Sequence, residues 1–183
     1  MNESMIEFSQ PKLFEHGIMA DKSDIRCHVA PITRLVYTFQ THEMKRILSE
    51  PHGFKKRQAD QPGVVGRTSE GWLVPIDQIP GVRRTIWKSE PWWDRFDALA
   101  STSAKGRAAE SVVRDLLALG RIPLWLIANS SKDAGFQMQG RDYLCWGRWV
   151  ISVKCDLRAG PVSDGGTGNL YIETAERNPL RLI

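Results

Sequence analysis

The clearest periodic signal in the chain lies between Ser101 and Gly120. Apolar residues at Ala109, Val112, Val113, Leu116, Leu117 and Leu119 recur at spacings of three and four, which predicts a helix with one apolar face. Ser101, Thr102 and Ser103 offer N-caps, and Gly120 is a natural C-terminal stop. Beyond it the pattern shortens to apolar runs at Ile122–Ala128, Arg141–Trp146, Arg148–Cys155 and Asn169–Thr174, each long enough for a strand. Gly147 between two of these runs predicts a hairpin. The loop 158–168, RAGPVSDGGTG, leads to the last strand. Upstream the signals are weaker. Strands are expected at Ile25–Val29, Leu35–Phe39, Gly71–Ile76 and Arg83–Lys88, and a short helix at Thr41–Ser49 with Thr41 as N-cap and Pro51 as stop. Pro51–Gly71 reads as loop, with Lys55, Lys56 and Arg57 as a solvated face or a nucleic-acid contact. Trp87, Trp92, Trp93 and Phe96 are expected to pack in a core or domain interface, and Trp125, Trp146 and Trp149 in the core. The elements predict an α+β chain with an N-terminal region at 1–98 and a sharper C-terminal unit at 99–183.

The hairpin has a geometric consequence. A turn centred on Gly147 sets Asp142 opposite Ser152, and alternation keeps Ser152 and Lys154 on one face. Asp142 and Lys154 then become diagonal neighbours. A two-residue turn would shift the register by one and separate them onto opposite faces.

Composition narrows the chemistry. The chain has 183 residues, 42% of them hydrophobic, which is ordinary for a globular protein. No window approaches about 18 consecutive apolar residues, and the opening MNESMIEFSQ lacks the basic start and apolar run of a signal peptide. A soluble, cytoplasmic protein with no membrane partner is expected. Residues 1–98 hold 14 Lys+Arg against 13 Asp+Glu, net +1; residues 99–183 hold 11 against 8, net +3, and 8 of those 11 are arginine. Arginine's planar fork suits phosphate, so the balance leans toward a polyanionic partner. Cys27, Cys145 and Cys155 are odd in number and not in zinc-ligand spacing; Cys145 and Cys155 read as small core residues. All four histidines precede residue 53, so chemistry confined to the C-terminal half would rely on carboxylates, Lys154, hydroxyls or cysteine.

Lys154 sits at the end of an apolar strand and is costly to bury unpaired. It either snorkels from the strand end or belongs to a carboxylate–lysine site. In such a site Asp142 and the Val153 carbonyl offer hard oxygens to a divalent metal, and Lys154 orients an attacking water. Glu110, one turn before Arg114, reads either as half of an exposed helical ion pair or as part of that site. The loop Gly165–Asn169 precedes a strand, not a helix, so it is no P-loop; a plain turn outweighs a phosphate cradle.

These residues resemble the PD-(D/E)XK nuclease superfamily. Its core is a helix followed by a mixed sheet, with an Asp on one hairpin strand and an acidic-x-Lys on the next. Here Asp142, Ser152-Val153-Lys154 and helical Glu110 stand in that order. Lys105-Gly106-Arg107-Ala108-Ala109-Glu110 is similar to the helical Glu segment of resolvase-like members. Val153-Lys154-Cys155-Asp156, a loop, then Thr167-Gly168-Asn169 before a strand reaching Glu173 is similar to phage and prophage nucleases. The likeness spans roughly residues 103–176. It implies a restriction-endonuclease-like core with an N-terminal α+β extension, and a Mg²⁺- or Mn²⁺-dependent endonuclease acting on DNA with no organic cofactor. Asp142, Glu173, Glu110 and the Val153 carbonyl would be ligands, Lys154 would sit at the water, and Arg141, Arg148 and Arg158 would contact phosphates. Two departures stand out. Ser152 replaces the second acidic ligand, so Glu173, Glu110 or Asp156 substitutes for it, or the chain is an inactive nuclease-like module that binds DNA or a protein partner. The chain also ends where the family's core usually adds a helix and a strand, which leaves the sheet to be completed by residues 1–98 or by a second subunit in a homodimer.

Overall fold

The computed structural model describes residues 17–60, 68–86, 96, 102–120, 127–129, 142–146 and 148–177. Expectations placed on Arg141, on Trp87, Trp92, Trp93 and Trp125, and on the Ser101 cap lie outside these residues.

The predicted helix forms as α2 (Thr102–Leu119), after α1 (Thr41–Ser49). Gly120 closes α2 with its N–H bonded to the Leu116 carbonyl at 2.9 Å. Ala109, Val112 and Val113 are buried and Leu116 and Leu117 pack beside them, but Leu119 points to solvent. Leu119 lies off the buried face, so periodicity alone overstates the apolar face by one residue.

The strands are β1 (Ile25–Ala30), β2 (Leu35–Gln40), β3 (Lys55–Asp60), β4 (Thr68–Pro75), β5 (Arg83–Ile86), β6 (Ile127–Asn129), β7 (Tyr143–Cys145), β8 (Trp149–Cys155) and β9 (Asn169–Arg177). Six of them form a mixed sheet in the order β5-β2-β1-β8-β7-β6, and β3-β4-β9 form a second, antiparallel sheet. The architecture is α+β. Lys55–Asp60 is a strand, not the loop that its Gly, Pro and charge content suggested. Its pairing with β4, and Lys56 bonded to Glu70 at 3.1 Å, outweigh its weak strand propensity.

The two regions expected at 1–98 and 99–183 are interleaved. β1 pairs in parallel with β8, and β4 pairs with β9, so the boundary at 98/99 runs through both sheets. Residues 1–98 thus complete the sheet that the C-terminal half begins. Asp24 holds the join at one end, exchanging two 2.8 Å bonds with Val150, and Asp156 N–H bonds Val29 O at the other.

Alternation assigns the two faces. Cys27, Val29, Val36, Tyr143, Cys145, Ile151 and Val153 face α2 and form one core. The opposite face places Leu35, Tyr37 and Phe39 against Met44 of α1 and Val74, Leu170 and Ile172 of the second sheet. The two apolar faces of the large sheet are each covered, in three layers. Gly160 lets the loop after β8 turn back under this second core. Its φ is +122°, and a Cβ there would stand 2.5 Å from Thr33 Oγ1, which donates to Ala159 O. Gly160→Ala should therefore cost about 2–3 kcal/mol through left-handed strain plus overpacking, read as a drop in the urea midpoint.

Candidate carboxylate–lysine site

The β7–β8 turn realises the Gly147-centred register. Tyr143 faces Ile151, Leu144 faces Val150 and Cys145 faces Trp149. Just before β7, Asp142 departs from that ladder: its N–H bonds Ile151 O at 3.0 Å, although Ile151 already faces Tyr143, and its Oδ2 accepts the Val153 N–H at 2.6 Å. Asp142 is therefore held against β8 at Ile151 and Val153, and not in the expected pairing with Ser152, while Ser152 and Lys154 share one face of β8 by alternation.

Glu110 approaches from α2. The Tyr143 hydroxyl donates to the Glu110 carbonyl at 3.0 Å and pins the helix to the hairpin next to Asp142. Burial pushes the Glu110 carboxyl up, the Asp142 charge adds to the rise, and Arg107 and Lys154 oppose it. Asp142 is also raised by burial, against the Val153 N–H and the nearby Lys154. The expected Glu110–Arg114 pair does not form; Arg114 turns to Asp115 at 3.1 Å. Asp142, Glu110 and Lys154 thus form one electrostatic group.

Glu173 comes from the second sheet. β9 pairs with β4, not with β8, and Glu173 stands opposite Gly71 in the second sheet. Its charge bears on Arg26. Asp156 is committed to the loop: its carboxylate accepts the Tyr171 N–H at 2.9 Å and the N–H groups of Arg158 and Ala159. The glycine loop is likewise saturated. The N–H groups of Gly165, Gly166, Thr167 and Gly168 bond Val162, Pro161, Arg158 and Gly160 carbonyls, so none is free to cradle a phosphate. Cys27, Cys145 and Cys155 have thiols raised by burial, Cys27 and Cys155 to about 12, as apolar-core residues should.

Sequence reasoning missed two residues. Parallel pairing sets Arg26 beside Ser152 and His28 beside Lys154, so a histidine from the first third of the chain does enter this region. Arg26, His28 and Ser152 are almost wholly buried. Arg26 Nε lies 3.7 Å from Asp21 Oδ2, too long for a hydrogen bond. Arg26 Nε and Nη1, both His28 ring nitrogens and Ser152 Oγ have no hydrogen-bond partner among the described residues. Burial, then Arg26 and Lys154, hold the His28 imidazole neutral. Alternating polar residues in a strand that is apolar on its other face were the one available hint, and they fit an exposed face equally well.

For a divalent metal, the donor set is a pair of carboxylates, not a cage. Among the described residues no group of three Asp, Glu, His or Cys is placed to hold an ion. Asp142 keeps one oxygen free of the Val153 bond, and Glu110 supplies a second carboxylate. That pair suits a magnesium ion that retains several waters. A cavity of about 430 Å³ lies between Tyr37, Ile76, Val82, Arg84 and Pro161, away from this group. No described helix is long and apolar enough to cross a membrane. Compared with models of known families, with curated proteins and with solved structures, the chain matches none.

Proposed function

We propose that the chain is a metal-dependent nuclease that hydrolyses phosphodiester bonds in DNA, with a restriction-endonuclease-like core. The observation that carries this reading is that Asp142 is bonded to β8 at Ile151 and Val153, next to Lys154, while the charges of Asp142 and Lys154 both bear on Glu110 of the helix. β1, lying parallel to β8, supports it by supplying the strand that such a core adds after its hairpin. Asp142 and Glu110 would hold the ion and Lys154 the attacking water. Magnesium bound there would polarise the scissile phosphate and acidify its water. Arg148 and Arg158 are exposed, as phosphate-contacting side chains need to be. Nicking of supercoiled plasmid with and without Mg²⁺ or Mn²⁺ tests the reading; no nicking under either ion overturns it.

The raised carboxyls give the reaction a pH signature. Asp142 and Glu110 must be ionised to hold a cation, so the acid limb of the rate should lie above the ordinary carboxylate range. Stability runs the other way. A carboxyl whose folded pKa is raised stabilises the fold below its unfolded pKa, and that contribution is lost as pH rises through the folded pKa. Rate profiles and urea midpoints between pH 3 and pH 8 should therefore diverge; an acid limb at the ordinary carboxylate value would remove these two groups from the site.

A second reading, an inactive nuclease-like module that binds DNA or a protein, is favoured by one observation. Where a second acidic ligand would stand, Ser152 is buried beside the Arg26 cation.

A further inference from the structure

The hairpin that begins at Asp142 ends in a turn built against two physical preferences. Trp146 takes φ +53°, a left-handed conformation that bulky residues rarely adopt and that hairpin turns usually assign to Gly, Asn or Asp. The turn is closed by the Arg148 N–H on Cys145 O at 3.1 Å. Trp146 is also 54% exposed, and Trp149 and Leu144 on the same hairpin are 39% and 37% exposed, so the expectation that both tryptophans lie in the core is corrected. Three large apolar side chains left partly exposed within six residues help neither folding nor solubility. A residue that is both strained and exposed points to function.

The chemistry of the tip selects the partner. The Arg148 guanidinium lies 5.1 Å from the Trp149 ring centroid, a cation held over an aromatic face. Indole faces accept any unpaired base, and an adjacent guanidinium meets the phosphate next to it. Trp146 follows Asp142 by the three residues of β7, a separation of at most about 13 Å at ~3.3 Å per residue.

We propose that Trp146, Arg148 and Trp149 form a base-stacking platform, and that the nucleic acid taken by this protein carries an unpaired segment beside the phosphodiester at Asp142. The cutting step rests on the nuclease reading; the stacking does not.

The test is equilibrium binding of fluorescein-labelled oligothymidylate, and of a duplex of the same length, to the full chain without divalent metal. The parent should prefer the single strand. Trp146→Asn should lose about tenfold or more in single-strand affinity with no change in salt slope, because stacking releases no counterions. Its melting temperature should rise, since Asn tolerates the left-handed turn; a merely structural role for Trp146 predicts a fall. Trp149→Ala, on ordinary strand backbone, should show a similar loss of affinity. Arg148→Ala should reduce the slope of log affinity against log salt by about one. Parent-like single-strand binding by Trp146→Asn and Trp149→Ala overturns the platform, and the nuclease reading survives if Mg²⁺-dependent nicking persists. A parent that nicks nothing yet prefers single strands, and loses them in Trp146→Asn, keeps the platform and rejects the nuclease. If the parent binds neither oligonucleotide, but self-associates or binds phosphatidylserine vesicles through Trp146, the tip belongs to a protein or lipid partner and the proposal fails.

Discussion

Arg26→Met should lower the unfolding free energy by about 3–5 kcal/mol, the range for removing one partner of a buried ion pair. The guanidinium is 1% exposed, and burial works against its charge while Asp21, Glu173 and Asp142 oppose that effect. Methionine preserves volume, so a cavity contributes little and the loss reports charge. What remains is the Asp21 carboxylate, itself buried, with Oδ1 held by the Ser23 N–H at 2.8 Å and Oδ2 without a hydrogen-bond partner among the described residues. The double variant Arg26→Met/Asp21→Asn should recover a substantial part of the loss, because it leaves no unpaired charge next to the strand. Denaturant melts of the two single variants and the double variant form the cycle. A single-variant cost under about 1 kcal/mol would place the pair in the range of exposed ion pairs and contradict the buried geometry.

Asp142→Asn and Lys154→Ala should each lower nicking at least about tenfold, in line with removing a ligand or a proton-handling group at a phosphodiester site. Asparagine keeps an oxygen for the Val153 N–H, so the hairpin register and the fold should survive that change. Lys154 is only half-buried and its strand is held by β1 and β7, so truncating it should spare the fold as well. The two variants differ in metal response. Asp142→Asn should weaken Mn²⁺ affinity together with rate, whereas Lys154→Ala should lose rate with Mn²⁺ affinity retained. Glu110→Gln should behave as Asp142→Asn does. Glu173→Gln should not, since Glu173 stands on the second sheet and acts on Arg26. Parent-like nicking by both Asp142→Asn and Lys154→Ala would remove the site from the hairpin.

Sequence alone settled the local parts of this protein. The spacing of Ala109, Val112 and Val113 is a property of one helix, and it placed α2 with its buried face correct over most of its length. A glycine between two apolar runs set the β7–β8 register, although Asp142, just before β7, departs from it by bonding Ile151 O. Both depend on contacts between residues a few positions apart, where 3.6-residue and 2-residue periodicities act directly. Tertiary structure alone decided the rest. Parallel pairing of β1 with β8 joins residues more than 120 positions apart and leaves no local turn signature, because parallel strands are connected from afar. That pairing brought Arg26 and His28 to Ser152 and Lys154. The partner of β9 was likewise a choice among sheet edges, and it carried Glu173 to the second sheet. Whether a tryptophan is core or surface also depends on which layer covers it. Trp146 at 54% and Trp149 at 39% exposure stay at the surface, and no count of apolar residues along the chain could show that.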